Sequence, residues 1–234
     1  MMQLYNTILY QPLFNATVFL YNIIPGSDFG LAIITLTVLI RIVMFPLTLK
    51  TTKSQRALTK INPQIKLIKE KFKKDTQSQS AAIMALYKEN KVNPLSGCLP
   101  LIIQLPILIA LYSAFGAGFK PESLSLLYGF ISNPGFINTT SLGFLNIASK
   151  NAILAIVTGV FQFLQLRQNN LTMAAATTDG NKEMQAMNKQ MLYFFPVMII
   201  IIGWNLPAAL LLYWLTTTLF SMVEQMYIRA KYPV

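Results

Sequence analysis

A single arginine interrupts the first long apolar stretch of the sequence. Residues 29–49 carry no other charge, and Arg41 is the thirteenth of these 21 residues, near the middle of a bilayer. Arginine at that depth costs about 2.5–3.5 kcal/mol on insertion scales. No Asp or Glu falls inside an apolar stretch, and Glu224 lies only at the end of the last one. We therefore expect Arg41 to lack an acidic partner and to face a hydrated cavity. The alternative is a structural arginine bonded to backbone carbonyls.

Uncharged polar residues recur at helical spacing in the other apolar stretches. The last stretch, for example, has polar or aromatic residues at i, i+4, i+7 and i+11 counted from Trp214. Interhelical hydrogen bonding would explain any one such stripe, at about 0.6 kcal/mol per contact. Several stripes together with an unpaired arginine favour a polar groove enclosed by the helices. The predicted groove residues are Arg41, Thr37, Gln104, Gln162, Gln165, Trp214, Thr218 and Ser221.

The residue types that are missing exclude most enzymatic chemistry. The chain has no histidine and one cysteine, which excludes a Ser-His triad and most transition-metal sites. No GxxxxGK[ST] phosphate loop occurs, and no paired carboxylates lie within the apolar stretches. We expect no catalytic residue, no metal and no cofactor, and a protein that is not an enzyme.

Composition indicates a protein with several membrane spans. Hydrophobic residues make up 54% of the 234 residues and charged residues 12%, about half the charge of a soluble domain. A hydrocarbon core of ~30 Å needs about 20 apolar residues in a helix. Residues 1–28 predict an interfacial helix over about 13–24, and a sixth span is left open. The predicted spans are 29–49, 95–119, 152–166, 191–206 and 208–223, the last two joined by a turn at Pro207.

The distribution of basic residues predicts the orientation. Residues 50–91 carry 11 of the 19 Lys and Arg residues, and the segments after the third and fifth spans add five more. The opposite side has only Lys120 and Lys150. Because cytoplasmic loops are enriched in Lys and Arg, we expect the N-terminus outside and the C-terminus in the cytoplasm.

The basic segment has the pattern of a helical hairpin. Asn62-Pro63 looks like the start of one helix, Asp75-Thr76-Gln77 reads as a turn, and a second helix is expected over about 78–91. Its basic face is either a solvated orientation signal or a surface for anionic lipid headgroups or ribosomal RNA. Without interleaved aromatic residues, recognition of a specific nucleic-acid sequence is not expected.

Four motifs resemble those of one protein family, the YidC/Oxa1/Alb3 membrane insertases. The resemblance extends over nearly the whole chain, from residue 28 to residue 232, and its long central motif is highly specific. In chain order the motifs are Arg41 with residues 45–48 (FPLT), residues 84–88 (MALYK), residues 92–107 (VNPLSGCLPLIIQLPI) and residues 211–214 (LLYW).

The resemblance implies an all-α membrane protein with five transmembrane helices around a polar groove. A cytoplasmic antiparallel helical hairpin and an N-terminal interfacial helix complete it. By position, Arg41 matches the family's groove arginine, Thr37 and Trp214 match client-contact positions, and Gln104 matches a groove-lining position. The expected division is 1–28 interfacial segment, 29–49 first transmembrane helix, 50–93 hairpin, 94–228 transmembrane helices two to five, and 229–234 cytoplasmic tail.

The resemblance also implies a function. The expected protein is a short-form, multi-pass insertase and chaperone of the bacterial plasma membrane, without the large extracytoplasmic domain of many Gram-negative members. Its groove, open to cytoplasm and lipid, would help client membrane proteins to insert and fold without nucleotide hydrolysis. Expected partners are nascent membrane-protein clients and membrane lipids, while the ribosome and a Sec translocon are left open. The alternatives are a small-anion channel or transporter with Arg41 as its binding charge, and a lipid-binding scaffold around the hairpin.

Overall fold

The computed structural model describes residues 2–73, 75–93, 99–118, 121–174 and 182–232. The lone cysteine, Cys98, and the preceding residues 94–97 of the long motif lie outside this part. The described chain is predominantly helical, with a two-stranded antiparallel sheet. The elements are α1 (Met2–Tyr5), a π-helical turn (Asn6–Tyr10), α2 (Gln11–Ile23), α3 (Phe29–Lys71), α4 (Thr76–Glu89), α5 (Leu99–Gly118), a 3₁₀ segment (Pro121–Leu126), β1 (Thr140–Ser141), β2 (Leu145–Asn146), α6 (Ala152–Ala174), α7 (Lys182–Gly203) and α8 (Ala208–Lys231).

Helix α3 is one continuous helix of 43 residues. It continues past residue 49 and through Pro46 and Pro63, so the expectation that a new helix starts at Asn62-Pro63 is wrong. A proline removes one helical hydrogen bond, and the long flanking runs of helix-forming residues compensate for that loss here. At 1.5 Å per residue, α3 is about 65 Å long, twice the ~30 Å of a bilayer core. The first predicted span and the first arm of the hairpin are therefore a single rod.

Among the described residues, α3 is the one helix that is both long enough and apolar enough to cross a membrane. Shorter apolar helical segments lie at Gln104–Gly116 in α5 and Leu192–Gly203 in α7. The predicted turn between the last two spans is confirmed, since α7 ends at Gly203 and α8 begins at Ala208.

The second arm of the hairpin is α4, which begins at Thr76, two residues before the predicted start at about residue 78. Asp75 caps it, because its carboxylate accepts hydrogen bonds from the backbone N–H of Gln77 and Ser78 at 3.1 and 3.0 Å. The side-chain amide of Gln79 donates to the Lys69 carbonyl at 3.2 Å and ties α4 to α3. None of the 14 residues of α4, all of them described, is buried, so little apolar area holds this arm in place.

The N-terminal helical segment packs against α5 and against the start of α3. Tyr5 lies with its hydroxyl 3.5 Å from the Ser113 hydroxyl. Tyr21 packs edge-on against Phe29, which in turn packs edge-on against Phe115. Tyr5 thus approaches α5 directly, whereas Tyr21 is linked to α5 through Phe29 of α3.

A loop and the small sheet close the end of the molecule at which α3 and α8 begin. Buried Asn15 of α2 donates to the Leu126 carbonyl at 3.1 Å and accepts from the Tyr128 N–H at 2.7 Å. The N–H groups of Ala208 and Ala209 donate to carbonyls of Ser149 and Ile147, both at 2.8 Å. The first residues of α8 thus satisfy their free N–H groups with the loop after β2.

Asp28 joins this closed end to the start of α3. Its carboxylate caps α3 by accepting from Leu31 N–H at 3.0 Å, and it also accepts from the Ser141 hydroxyl at 2.5 Å and from Leu142 N–H at 2.6 Å. Partial burial opposes ionisation of Asp28, but these hydrogen bonds outweigh it and hold the pKa below the ordinary value of 3.8.

We expect Asp28→Asn to lower thermal stability near neutral pH and to lose that effect in acid. The amide oxygen of an asparagine can still cap the helix and accept from Ser141, but the N–H₂ group that replaces Oδ2 cannot accept from the Leu142 N–H. A lowered pKa adds stability that is complete above pH 3.8 and is lost as pH falls below it towards the folded-state pKa. Thermal unfolding of both proteins in detergent, from pH 7 to about pH 3, measures this. An equal difference at both extremes would contradict it.

Candidate functional site

Helix α8 carries several buried polar side chains. It packs against α3, α5 and α6, and each of these three helices supplies a polar partner to α8. Thr217, Thr218, Ser221 and Glu224 of α8 are all buried. Seven of the eight predicted site residues fall into three adjoining clusters along this helix, and Thr37 lies outside them.

The first cluster surrounds Arg41. Its Nη2 donates to the Ser221 hydroxyl at 2.6 Å and to the Thr217 carbonyl at 3.2 Å. Its Nη1 lies 4.0 Å from Oε2 of Glu224. Both helices begin at the same end, where a side chain at Gly30 would touch Leu212. Arg41 and Ser221 then lie about 18 and 20 Å along their helices, which is why they meet.

The expectation that Arg41 lacks an acidic partner is wrong. Glu224 lies one turn beyond Ser221 on the same face of α8, and the long arginine side chain bridges the remaining distance. The position of Glu224 at the end of the last apolar stretch suggested that it was out of reach of Arg41. The three-residue spacing from Ser221 to Glu224 was the available signal, because i and i+3 share a helix face.

The Glu224 carboxylate is only weakly held in this ion pair. The Glu224 side chain is 1% exposed and that of Arg41 16% exposed. Neither carboxylate oxygen of Glu224 accepts a hydrogen bond of ordinary geometry from the described residues. The Thr48 hydroxyl faces this carboxylate but donates to the Met44 carbonyl at 3.3 Å.

The second cluster centres on Gln162 of α6. Its Oε1 accepts from Trp214 Nε1 and from the Thr218 hydroxyl, both at 3.2 Å. Its Nε2 donates to Gln165 Oε1 at 2.8 Å. Four of the predicted residues are thus brought together between α6 and α8.

The remaining two predicted residues are placed differently from one another. Gln104 of α5 donates through Nε2 to the Tyr213 hydroxyl of α8, which forms the third cluster. Thr37 is 2% exposed, and its hydroxyl donates to the Ile33 carbonyl of its own helix at 2.6 Å. Its donor is therefore already used within α3. Tyr213, Thr217 and Glu224 also belong to these clusters, although they were not among the predicted groove residues.

Comparison with known sequences identifies relatives over nearly the whole chain. The family model described as 60Kd inner membrane protein matches residues 19–233. A membrane protein insertase YidC of Fusobacterium nucleatum is 36% identical over 205 residues, 88% of this chain and 88% of that protein. One of Streptomyces avermitilis is 34% identical over 236 residues, 91% of this chain and 55% of that protein. One of Chlamydia muridarum is 32% identical over 208 residues, 88% and 26% respectively.

A solved structure shares the fold. A crystal structure described as an active YidC insertase with the first transmembrane domain resolved aligns with a TM-score of 0.58 at 25% identity. The alignment covers 98% of this chain and 47% of that one. The predicted family and the predominantly helical fold are confirmed by these comparisons.

Proposed function

Because the chain belongs to the 60Kd inner membrane protein family, which is the YidC/Oxa1 family, we propose that it is a membrane protein insertase. It would lower the barrier for moving a short polar segment across the membrane while an adjacent apolar segment enters lipid. Burial of the apolar segment supplies the driving force, so neither a covalent step nor nucleotide hydrolysis is needed. Two kinds of support are independent of each other: the relatives named insertases, and the polar clusters along α8.

The observation that carries the proposal is the placement of Arg41. A guanidinium group in an apolar helix is held on α8 by two hydrogen bonds and keeps 16% of its side chain exposed. A polar client segment would find a charged donor there and water around it, in place of hydrocarbon. The other two clusters would extend this polar path along α8, with Gln162, Gln165, Trp214, Thr218 and Gln104 as groove residues and Thr37 beside them.

The proposed arrangement in the membrane has five spans and a bacterial plasma-membrane location. Helices α3, α5, α6, α7 and α8 would cross the bilayer, and the segment up to Ile23, which carries no charged residue, would lie in the outer interface. The half of α3 beyond residue 49 and α4 would extend into the cytoplasm as the basic hairpin and meet lipid headgroups. Clients and lipids are the proposed partners, and the same hairpin is available to a ribosome or a Sec translocon.

Insertion into liposomes tests the function. The purified chain in liposomes should increase protease protection of a short-tailed client membrane protein above that of protein-free liposomes, without added nucleotide. An anion channel would instead pass small anions with no client present. Client insertion no better than in protein-free liposomes would overturn the proposal.

The orientation is tested separately by labelling. We expect a cysteine at exposed Lys88 of α4 to resist an impermeant thiol reagent on intact cells, and a cysteine at exposed Ser132 to react. The reason is the concentration of basic residues in the hairpin. Cys98→Ser provides the background, and lysed cells should label at both positions. The opposite pattern on intact cells would reverse the topology.

A further inference from the structure

We propose that Glu224 is a specificity-determining residue, an internal counter-ion of Arg41 with which an acidic client segment must compete. This inference rests on the proposed insertase function. The two side chains are 4.0 Å apart at their charged atoms. The charge that a client meets in the groove is therefore the charge of the pair and not that of an isolated arginine.

The geometry makes this counter-ion replaceable. Strong arginine–carboxylate pairs are bidentate, with two parallel hydrogen bonds of about 2.7–2.9 Å. Here Nη2 is directed at Ser221 and Thr217, and only Nη1 approaches Glu224, at the outer limit of an ion pair. A carboxylate that reached Nη1 with better geometry would form a stronger contact than Glu224 does.

The exposures give the two residues different roles. Arg41 is partly open, while the Glu224 side chain is 1% exposed, so a client would touch the arginine and not the glutamate. Glu224 therefore acts through its charge, without touching the client. It lowers the attraction of the groove for acidic segments and repels them at short range, which narrows the difference in insertion between acidic and neutral clients.

Neutralising Glu224 should therefore increase the preference for acidic tails. The experiment inserts one client in two versions, with an acidic or a neutral short tail, into liposomes containing wild type or Glu224→Gln. We expect the ratio of acidic to neutral insertion to rise about two- to fivefold in the variant, the upper part of the range for charge pairs open to water. Glu89→Gln makes the same chemical change at the exposed end of α4 and should leave the ratio as in wild type.

A second variant tests the same role if Glu224→Gln folds poorly, which thermal unfolding in detergent would reveal. Glu224→Asp keeps the charge but withdraws it by one methylene group, so its ratio should lie between wild type and the glutamine variant. If wild type inserts its clients and neither variant changes the ratio, the counter-ion role is overturned and the insertase function stands. If wild type inserts neither client, the function fails, and this role fails with it.

Discussion

Arg41→Ala is expected to reduce insertion of an acidic-tailed client by about tenfold or more, and that of a neutral-tailed client much less. The guanidinium group is the one cation inside the first apolar stretch, and every tenfold change corresponds to about 1.4 kcal/mol. An acidic tail loses an attraction of that size, whereas a neutral tail gains little from the arginine in the first place. The measurement is insertion of both client versions into liposomes at matched protein levels.

The same substitution should also reduce stability, because it leaves Glu224 buried without its counter-ion. Removing one partner of a buried ion pair costs about 3–5 kcal/mol, and the partial exposure of Arg41 places the expected loss at or below the lower end. The double variant Arg41→Ala/Glu224→Gln removes both charges. It should recover much of the thermal stability without recovering the preference for acidic tails.

Arg41→Lys separates charge from shape. Lysine keeps the charge but cannot hold Ser221, the Thr217 carbonyl and Glu224 with one fork of donors, so we expect it to retain a preference for acidic tails with lower stability. Equal loss of both client versions in Arg41→Ala would contradict the electrostatic role and leave Arg41 as a structural or groove-hydrating residue.

Gly30→Ala is expected to destabilise the protein by about 1–3 kcal/mol, although alanine is the better helix former. A methyl group at Gly30 would overlap Ser141, whose Cβ would be 2.7 Å away, and would press on Leu212 at 3.1 Å. Ser141 cannot move aside easily, because it is fully buried, pairs in the sheet with Leu145 and donates to Asp28. The close contact holds the closed end of the bundle onto α3 and α8.

A matched glycine in α5 provides the control. A methyl group at Gly116 would meet nothing within 4 Å, so Gly116→Ala should be neutral or stabilising by up to about 1 kcal/mol. Thermal unfolding of the two variants in the same detergent compares them directly. A Gly30→Ala protein as stable as Gly116→Ala would show that the β1 loop yields, and would remove the argument for a rigid closed end.

Some features of the site could be predicted because helical periodicity acts over a few residues. The spacing of Trp214, Thr218 and Ser221 predicted that they share a face of one helix, and in α8 all three contact polar residues of α3 or α6. Gln162 and Gln165 are three residues apart and are hydrogen-bonded to each other. The turn before α8 followed from Pro207, which has no N–H to continue α7.

The length of α3 could not be predicted in the same way. Asn62-Pro63 has the pattern of a helix start, yet the helix passes through it. Local signals of this kind are weak compared with the cooperative gain of extending an existing helix, which adds a hydrogen bond for each residue ordered.

The sequence by itself determined the family, the helical class, the polar stripes and the single charge inside the first apolar stretch. These properties depend on composition, local spacing and motifs. Only the tertiary structure decided that Arg41 has an acidic neighbour, that Gln104 meets Tyr213, and that Gln162 accepts from Trp214. Arg41 and Ser221 are 180 positions apart, and helical periodicity says which face a residue occupies but not which helix packs there. The packing of α3, α5 and α6 around α8 made those choices, because it brings residues at equal depth on neighbouring helices together.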